Sequence, residues 1–321
     1  MSTGIGPVDL ANTAIAMATQ YLLGLSGVYY LLDVDNTLFV AGSESIVAYH
    51  DVDPEDPASP IEVRDEWVKP AEVGGTFVGA NLTFDGRLVM ITDEGWIVVA
   101  RDFTGYEAIQ LVGADAAPRH NQAMADAGSR SGAADWVRNS IAVDEDGGIY
   151  AVSLEHMHKV VWDGERLSTD PADGAWTEQY RNGTGVGSGT TPSLMGFGDE
   201  DRFVVITDGE ELMDVVLYWR DEIPDDWEPL VDLPSARIAG SSPADMGDSE
   251  LDAIQTEQSV VVGGYGALVV NNDPASIPDG FPPLGVRVLA GYAGADPAFT
   301  PHGVQKFRWD SKKLGSSSRT G

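Results

Sequence analysis

The sequence predicts an all-β fold, and three observations carry the prediction. One pattern recurs five times: a short apolar strand, an acidic or glycine-containing turn, and a second apolar strand. Asp-Gly and Gly-Gly pairs in these turns supply the positive φ that tight hairpins require. β-Branched and aromatic residues flank the turns, as strands prefer. The five copies begin at Tyr29, Asn81, Asn139, Ser193 and Gln258.

The length of each copy predicts how the copies assemble. Their second strands are anchored at Leu38, Leu88, Ile149, Phe203 and Leu268, so successive copies lie 50 to 65 residues apart. Copies two to four add a third strand, over 96–100, 156–162 and 215–219. A meander of this size cannot bury both of its faces alone, and radial stacking of meanders solves that problem. We therefore expect a β-propeller of four-stranded antiparallel blades, in which residues 304–309 open a partial sixth copy.

All copies fall in one predicted domain, residues 29–309. Residues 1–28 form an N-terminal segment, in which 9–25 is expected to be a helix with Asp9 as its cap. Residues 310–321 are polar and of low complexity, and are expected to be a disordered tail or a cloning scar. Two further short helices are expected, at 118–128 and 248–255.

The charge of the chain excludes several classes of partner. There are 51 acidic and 19 basic residues, which gives a net charge of −32. Such a field repels phosphate backbones and anionic lipid surfaces, so neither nucleic acid nor a membrane is an expected partner. The acidic surface favours solubility or a salt-rich source, and the alternative is a charge that captures cations. A small-molecule substrate is the expected partner, and the sequence leaves the oligomeric state open.

Two absences bear on chemistry and location. The chain has no cysteine, which excludes disulfides, thiolate zinc sites, iron–sulfur clusters and cysteine nucleophiles. The first basic residue is Arg64, so no positive region of a secretory signal is present, and no apolar run reaches the ~18–20 residues of a membrane span. The chain as it stands is expected to be soluble and cytoplasmic. A leader removed before residue 1 would make it periplasmic or secreted.

Three blocks of the sequence resemble known propellers. Residues 139–150 read Asn-Ser-Ile-Ala-Val-Asp-Glu-Asp-Gly-Gly-Ile-Tyr, which is similar to the blade phrase of gluconolactonase and strictosidine-synthase-like enzymes. The longer blocks 136–162 and 243–272 look like those of an uncharacterised bacterial propeller family. Over about 29–309 the chain resembles the superfamily that unites these enzymes with the quinoprotein-like propellers. The resemblance implies a propeller fold, and such a fold hosts many activities.

Four polar residues are candidates for a metal site. Asn139, Ser193 and Gln258 each precede the first turn of their copy, which in a propeller lies beside the central channel. A ring of side-chain oxygens there suits calcium, which takes six to eight oxygen ligands, and Glu257 would add a negative charge. The lactonase-like propellers use Asn, Asp and Glu in this way. The alternative is that these residues bond channel water and strand ends.

The tripeptide His156-Met157-His158 is the other candidate site. Residues two apart in a strand point to the same face, so both imidazoles could share a metal or work as bases of unequal pKa. We take His156, His158 and the adjacent Glu155 as candidate catalytic residues. The alternative is a surface or inter-blade pair satisfied by carboxylates. A third ligand would come from another blade, with His120 and His302 as candidates.

The glycine-rich segment 183–189 is typical of a flexible loop. It resembles a phosphate loop but fails the Gly-x-Gly-x-x-Gly pattern, because its sixth residue is Ser188 and no lysine follows. The repeated tryptophan docking motif of quinoprotein dehydrogenases, Ala-x-Asp-x-x-Thr-Gly-x-x-x-Trp, is also missing. Its absence argues against pyrroloquinoline quinone as a cofactor.

Three functions follow as hypotheses. The first is a metal-assisted hydrolase of the lactonase type acting on a small neutral substrate, with calcium as Lewis acid and a histidine as general base. The second is a non-catalytic propeller that binds a ligand or a protein on its loop face. The third is a quinoprotein-like oxidoreductase, which the missing docking motif weakens.

Overall fold

A computed structural model of the chain describes residues 30–42, 44–101, 103–111, 113, 136–198, 200–271, 275 and 301–310. Within those ranges the regular elements are antiparallel strands, apart from one 3-10 turn at Pro171–Asp173. The all-β prediction is therefore confirmed. The helices expected at 9–25 and 118–128 lie outside the described residues, as do segment 1–28 and, apart from Asp310, the tail 310–321.

The chain divides into two compact units, and the described residues of the first lie within 30–179. They form three antiparallel sheets. Sheet 1 comprises β1 (Tyr30–Leu32), β2 (Leu38–Ala41), β3 (Ser45–Asp51) and β4 (Ile61–Val68), paired in that order. Sheet 2 comprises β5 (Phe77–Leu82), β6 (Leu88–Thr92), β7 (Trp96–Arg101) and β8 (Gly105–Gln110), paired likewise. Sheet 3 comprises β9 (Ala142–Val143), β10 (Gly148–Val152), β11 (His156–Trp162), β12 (Leu167–Ser168) and β13 (Trp176–Gln179), the last two both paired with β11.

The second unit has two sheets in its described residues, which begin at Tyr180. Sheet 4 comprises β14 (Ser193–Met195), β15 (Phe203–Thr207), β16 (Asp214–Trp219) and β17 (Ile238–Pro243), paired in that order. Sheet 5 comprises β18 (Val261–Gly263), β19 (Gly266–Val269) and β20 (Gln305–Arg308). Sheets 1, 2 and 4 have the four-stranded order that the repeat pattern predicts.

The hairpins form where the turn residues require them. In the turn between β5 and β6, the Thr83 amide donates to the Arg87 carbonyl at 2.8 Å. The Arg87 amide donates to the Thr83 hydroxyl, also at 2.8 Å, which closes the turn from both sides. Gly86 takes a φ of 82°, a left-handed conformation that glycine adopts without strain. The Asp-Gly signal in the sequence therefore marks a real two-strand turn.

Apolar side chains pack the sheets of each unit face to face. Met90 and Val98 of sheet 2 join a core with sheet 1, whereas Val89 and Ile91 join a core with Ile149 of sheet 3. A third core joins sheets 4 and 5 in the second unit. The first strands of neighbouring sheets also meet, as β1 with β5, β5 with β9, and β14 with β18. This is the blade packing of a β-propeller.

A tryptophan at the end of the third strand ties a sheet to the one before it. Trp162, the last residue of β11, donates its Nε1–H to a carboxylate oxygen of Asp85 at 3.2 Å, in the β5–β6 turn. Trp309, directly after β20, donates its Nε1–H to Asp201 Oδ2 at 3.0 Å, just before β15. The same contact thus recurs in both units. We call these two contacts the Trp–Asp ties.

The expectation that residues 304–309 open a sixth copy is wrong. β20 lies in sheet 5, where it pairs with β19 through Val269↔Gln305 and Ala267↔Phe307. Its position matches that of the third strands β11 and β16, which end in tryptophan, because Trp309 directly follows β20. The long stretch of sequence between β19 and β20 hides this equivalence from the repeat pattern.

The helix expected at 248–255 is also wrong. The segment forms turns and one isolated bridge, in which Ile254 pairs with Leu212. The Ile254 amide donates to the Glu211 carbonyl at 2.7 Å, and the Met213 amide donates to the Ile254 carbonyl at 3.2 Å. Tertiary hydrogen bonds to the β15–β16 connection thus override a weak local helix propensity.

In the part of the chain that the structure describes, no helix is long and apolar enough to cross a membrane.

Candidate functional site

The candidate catalytic residues Glu155, His156 and His158 lie together on the β10–β11 hairpin of sheet 3. Both histidines belong to β11, and their ring centroids are 5.9 Å apart. His156 is half-buried, whereas the side chain of His158 is 1% exposed. The two imidazoles therefore differ sharply in their access to solvent.

Hydroxyl groups hold the His158 ring on both sides. Its Nε2 lies 2.8 Å from Ser153 Oγ, and its Nδ1 lies 3.0 Å from Thr177 Oγ1 on β13. A general base or a metal ligand must direct a ring nitrogen at its target, and both nitrogens here already have hydroxyl partners. In this arrangement His158 fastens the β10–β11 hairpin to β13.

Ser193, a predicted metal ligand, is the first residue of β14. Its hydroxyl donates to the Val260 carbonyl at 2.7 Å, which links sheet 4 to the chain entering sheet 5. The first unit has the same kind of contact, because Asn81 Nδ2 on β5 donates to the Ile141 carbonyl at 3.0 Å beside β9. A polar side chain on a first strand thus bonds the backbone of the next sheet. This contact agrees with the alternative interpretation of the sequence, in which these polar residues form hydrogen bonds to the ends of strands and do not bind a metal.

The other three predicted ligands differ in burial. Asn139 lies before β9 in the first unit and is buried. Glu257 and Gln258 lie before β18 in the second unit and are exposed, and the Gln258 amide donates to Thr256 Oγ1 at 3.0 Å. Ser193 stands inside its strand, whereas Asn139 and Gln258 precede theirs, so their places in the repeat are not equivalent. A shared metal site among the four stays a prediction.

Of the described residues, no three or more His, Asp and Glu side chains are grouped so that they could hold a metal ion. His120, one of the two candidate third ligands, lies outside the described residues, and the other, His302, is half-buried ahead of β20.

The glycine-rich segment 183–189 uses its amide groups internally. The Gly183 amide donates to Glu210 Oε1 at 3.0 Å, and the Gly187 amide donates to Asn182 Oδ1 at 2.9 Å. Further amides of the segment donate to backbone or side-chain oxygens of the same unit, at Thr184, Gly185, Val186 and Ser188. A phosphate loop needs amide groups that point at the ligand, so this segment is not built as one.

A repeated tripeptide that the sequence reasoning missed follows two second strands. Ile-Thr-Asp stands at 91–93, where β6 ends at Thr92, and at 206–208, where β15 ends at Thr207. Both aspartates directly follow their strands and are buried. Asp93 Oδ1 accepts the Thr76 amide at 2.7 Å, and Asp208 Oδ1 accepts the Asp214 amide at 2.8 Å. The repeated tripeptide can be read from the sequence. The burial of its aspartates cannot, because chain segments distant in sequence cover them.

The environment of Asp208 shifts its proton affinity. Burial raises the pKa of Asp208 from 3.8 to about 7, and the negative charges of Asp214 and Glu210 add to the rise. Amide groups that donate to its carboxylate act in the opposite direction. Burial also raises the pKa of Asp214, against the Ser241 hydroxyl and the Arg181 charge. A carboxyl group that titrates near pH 7 can exchange a proton under physiological conditions.

The opposite end of the sheets, where first strands turn into second strands, exposes large apolar side chains. Val34 is 97% exposed in the β1–β2 turn and Phe84 is 71% exposed in the β5–β6 turn. Phe197 is 62% exposed in the β14–β15 turn of the second unit. Exposed carboxylates stand nearby in each turn, at Asp35, Asp85 and Glu200. We call these the apolar turn tips.

Comparisons with known proteins identify one relative by sequence and several structures of low sequence identity. No protein-family model matches the chain. A protein of Archaeoglobus fulgidus, described only as uncharacterised, is 34% identical over 330 residues. The alignment covers 96% of this chain and 58% of that protein, so the chain spans just over half the length of its relative.

Solved structures that are similar include three proteins of different function. BamB from Moraxella catarrhalis aligns with a TM-score of 0.43 and 8% identity, over 76% of this chain and 58% of that one. Virginiamycin B lyase from Staphylococcus aureus aligns with a TM-score of 0.40 and 8% identity, over 71% and 58%. YCF48 from Cyanidioschyzon merolae aligns with a TM-score of 0.35 and 11% identity, over 77% and 79%. At these identities no residue role transfers from them.

Proposed function

We propose that the chain is a non-catalytic propeller that binds a protein partner through its apolar turn tips. The exposure of Val34 and Phe84 carries the proposal. Neither side chain is needed at these positions by the turns. The β1–β2 turn rests on Asp33 and Asn36, and the β5–β6 turn rests on Thr83 and Gly86. Burial of a large apolar side chain is favourable by about 1.5–3 kcal/mol. Because these side chains are exposed in the free protein, a partner that buries them would gain this free energy on binding.

The charge beside the turn tips defines the partner. Asp35 follows Val34 and Asp85 follows Phe84, and both carboxylates are exposed. The net charge of −32 gives this surface a strongly negative potential. The partner is therefore a polypeptide segment that combines basic with apolar side chains. Electrostatic attraction raises the association rate, and apolar contact with the tips gives the complex its lifetime.

The state of His158 favours this proposal over a histidine-dependent hydrolase. A base held by two hydroxyls and 1% exposed must break framework contacts before it can act. Ser193, which would bind the metal, likewise donates its proton to a carbonyl group. The predicted hydrolase therefore requires the His158 imidazole and the Ser193 hydroxyl, and both already form hydrogen bonds that hold the sheets together.

The test uses a labelled synthetic peptide with alternating lysine and leucine as the probe. Fluorescence anisotropy measures its affinity for the protein and for two variants, Phe84→Ser and Val52→Ser. Val52 is also exposed and lies in the same unit, directly after β3, so it is a matched control. We expect Phe84→Ser to weaken binding about tenfold, the effect of losing one apolar contact, and Val52→Ser to leave it unchanged. Equal loss in both variants, or none in either, would contradict the proposal.

A second candidate function is the metal-assisted hydrolase, and Asp208 is the observation that favours it. Its pKa of about 7 is the value expected of a general base at neutral pH. In this hypothesis, calcium bound by Asn139, Ser193, Gln258 and Glu257 would supply the Lewis-acid chemistry. Metal analysis of the purified protein and lactone hydrolysis with and without Asn139→Ala distinguish the candidates. Joint loss of metal and turnover in that variant would support the hydrolase and refute the binding proposal.

A further inference from the structure

Burial of the second strands separates the sheets into two kinds. All five residues of β6, β10 and β15 are buried, so sheets 2, 3 and 4 are covered on both faces. In β2 and β19 buried residues alternate with half-buried ones. Since alternate residues of a strand point to opposite faces, sheets 1 and 5 each have one face covered by a neighbouring sheet of their own unit and one face that no described element of that unit covers, which we call the open face.

The open face of sheet 1 is apolar. Register places Tyr30, Val40, Val47 and Glu66 side by side on it. A second row on the same face runs through Leu32, Leu38, Tyr49 and Val63. Tyr30 is 71% and Leu32 60% exposed, whereas residues of the other face, such as Phe39 and Ile46, are buried against sheet 2. Seven of these eight side chains are apolar or aromatic, and the single charge among them is negative.

The open face of sheet 5 is smaller and carries positive charge. Val261, Leu268 and Lys306 stand opposite one another across its three strands, and Arg308 follows on the same face of β20. Lys306 and Arg308 are exposed. The whole chain has only 19 basic residues against 51 acidic ones, so two adjacent exposed cations are unusual in it.

We propose that the open face of sheet 1 is a docking surface for the open face of sheet 5 of a second copy of this chain. Apolar side chains form the centre of both faces, and Glu66 on one meets the cations Lys306 and Arg308 on the other. Two sheets that pack in this way stand about 10 Å apart with interdigitated side chains. Sheets 1 and 2 already share an apolar core within a unit. The contact continues the face-to-face series of sheets from one molecule to the next.

The two faces differ, so the contact is heterologous. Contacts of this kind join copies head to tail, and they close into a ring or extend as a series. Mutual repulsion of copies with a net charge of −32 opposes random association, and the local cations of sheet 5 overcome it only at the face of sheet 1. The proposal is independent of the apolar turn tips and of any catalytic role.

The experiment measures the mass of the purified full chain by sedimentation velocity over a wide range of concentration. We expect assemblies of two or more copies that dissociate on dilution. Leu32→Glu places a charge in the apolar centre of the sheet 1 face and should give a monomer. Val231→Glu changes an exposed apolar residue on neither face and should leave the mass unchanged. Circular dichroism must show the same strand content in both variants.

A charge exchange tests the partner face without disturbing the apolar centre. Glu66→Lys and Lys306→Glu should each weaken the association about tenfold, and the variant with both changes should recover it. Recovery would support the pairing of sheet 1 with sheet 5. A native protein that is monomeric at every concentration would overturn the proposal. So would assemblies that Leu32→Glu leaves intact, or a double variant as weak as the single ones.

Discussion

Two side chains, the half-buried Trp309 and the buried Asp208, show how single residues shape this molecule. Trp309 contacts the rings of Phe203 and Trp219 and donates its Nε1–H to Asp201 in the preceding sheet. Asp208 closes the loop that leads to Asp214. Sequence reasoning could identify both residue types at repeated positions. It could not identify their partners, because those partners come from segments far away in the chain.

Replacing Trp309 by phenylalanine should destabilise the second unit. The change keeps most of the aromatic packing but removes the N–H donor of a Trp–Asp tie, which costs about 1–2 kcal/mol in the free energy of unfolding. Urea unfolding followed by tryptophan fluorescence measures it. Trp227→Phe is the control, because the Trp227 N–H donates to the Ala236 carbonyl at an exposed site. An equal effect in both variants would show that the tie adds nothing.

Asp208 should make stability fall as the pH rises. Its folded pKa of about 7 lies above the usual 3.8, so the folded protein holds a proton that the unfolded chain releases. The stabilisation is fully present below about pH 4 and is lost as the pH rises through 7. Asp208→Asn removes this dependence. The difference in unfolding free energy between the native protein and the variant should therefore change by about 1–4 kcal/mol between pH 5 and 8, with the native protein losing stability relative to the variant. Parallel profiles would rule out the raised pKa.

Among the elements, β4 is the strand whose exposure most needs explanation. It is an edge strand of eight residues, and among the described strands its backbone pairs only with β3. The pairing shifts by one residue between Ala48 and Tyr49, so Arg64 is an extra residue that forms a bulge. Charged residues and bulges on an edge strand prevent it from pairing with other chains. The outer strand is thus protected against aggregation by its own sequence.

Removing that protection should promote aggregation. Arg64→Val together with Glu62→Val gives β4 a run of apolar residues at an exposed edge. We expect thioflavin-binding aggregates to form several-fold faster than in the native protein, with a melting temperature that changes little. The control is Glu107→Val on β8, the edge strand of sheet 2. Similar aggregation in the control would mean that lost charge alone is responsible.

Element prediction succeeded where the repeat pattern was strong. The sequence predicts the third strands of copies two to four within one residue of β7, β11 and β16, because alternating apolar residues follow a tight turn there. It does not predict the fourth strands β8 and β17, which have no common pattern. The repeat pattern assigns β20 to the wrong copy because the sequence between it and β19 is long. Trp309, directly after β20, corresponds to the last residues of β11 and β16 and is the sequence signal of the correct assignment.

At the scale of the whole molecule, charge should couple stability to salt. A net charge of −32 repels itself in the compact state, and salt shortens the range of that repulsion from about 10 Å at 0.1 M to about 3 Å at 1 M. The melting temperature should therefore rise by several degrees over this range, equally in sodium and potassium chloride. Differential scanning fluorimetry measures it. A flat or falling curve would show that the repulsion is already balanced locally.

Whole-molecule features were the hardest to derive from sequence. The repeat pattern fixed the class of fold, since each copy encodes its own hairpin. The predicted metal ring of Asn139, Ser193 and Gln258 depends on distances between sheets, which no local sequence pattern encodes. The Ser193 hydroxyl, one of the predicted ligands, donates a hydrogen bond to the Val260 carbonyl instead.

The Trp–Asp ties also affect the order in which the protein folds during its synthesis. Each tie joins an aspartate to a tryptophan later in the chain, 77 residues later for Asp85 and 108 residues later for Asp201. At a ribosomal rate of about 5–20 residues per second, the first tryptophan emerges roughly 4–15 s after its aspartate. For that interval the earlier sheet has formed its hairpin but lacks its fastening. Slow codons between the two would lengthen the interval, and nascent chains halted there should be sensitive to protease.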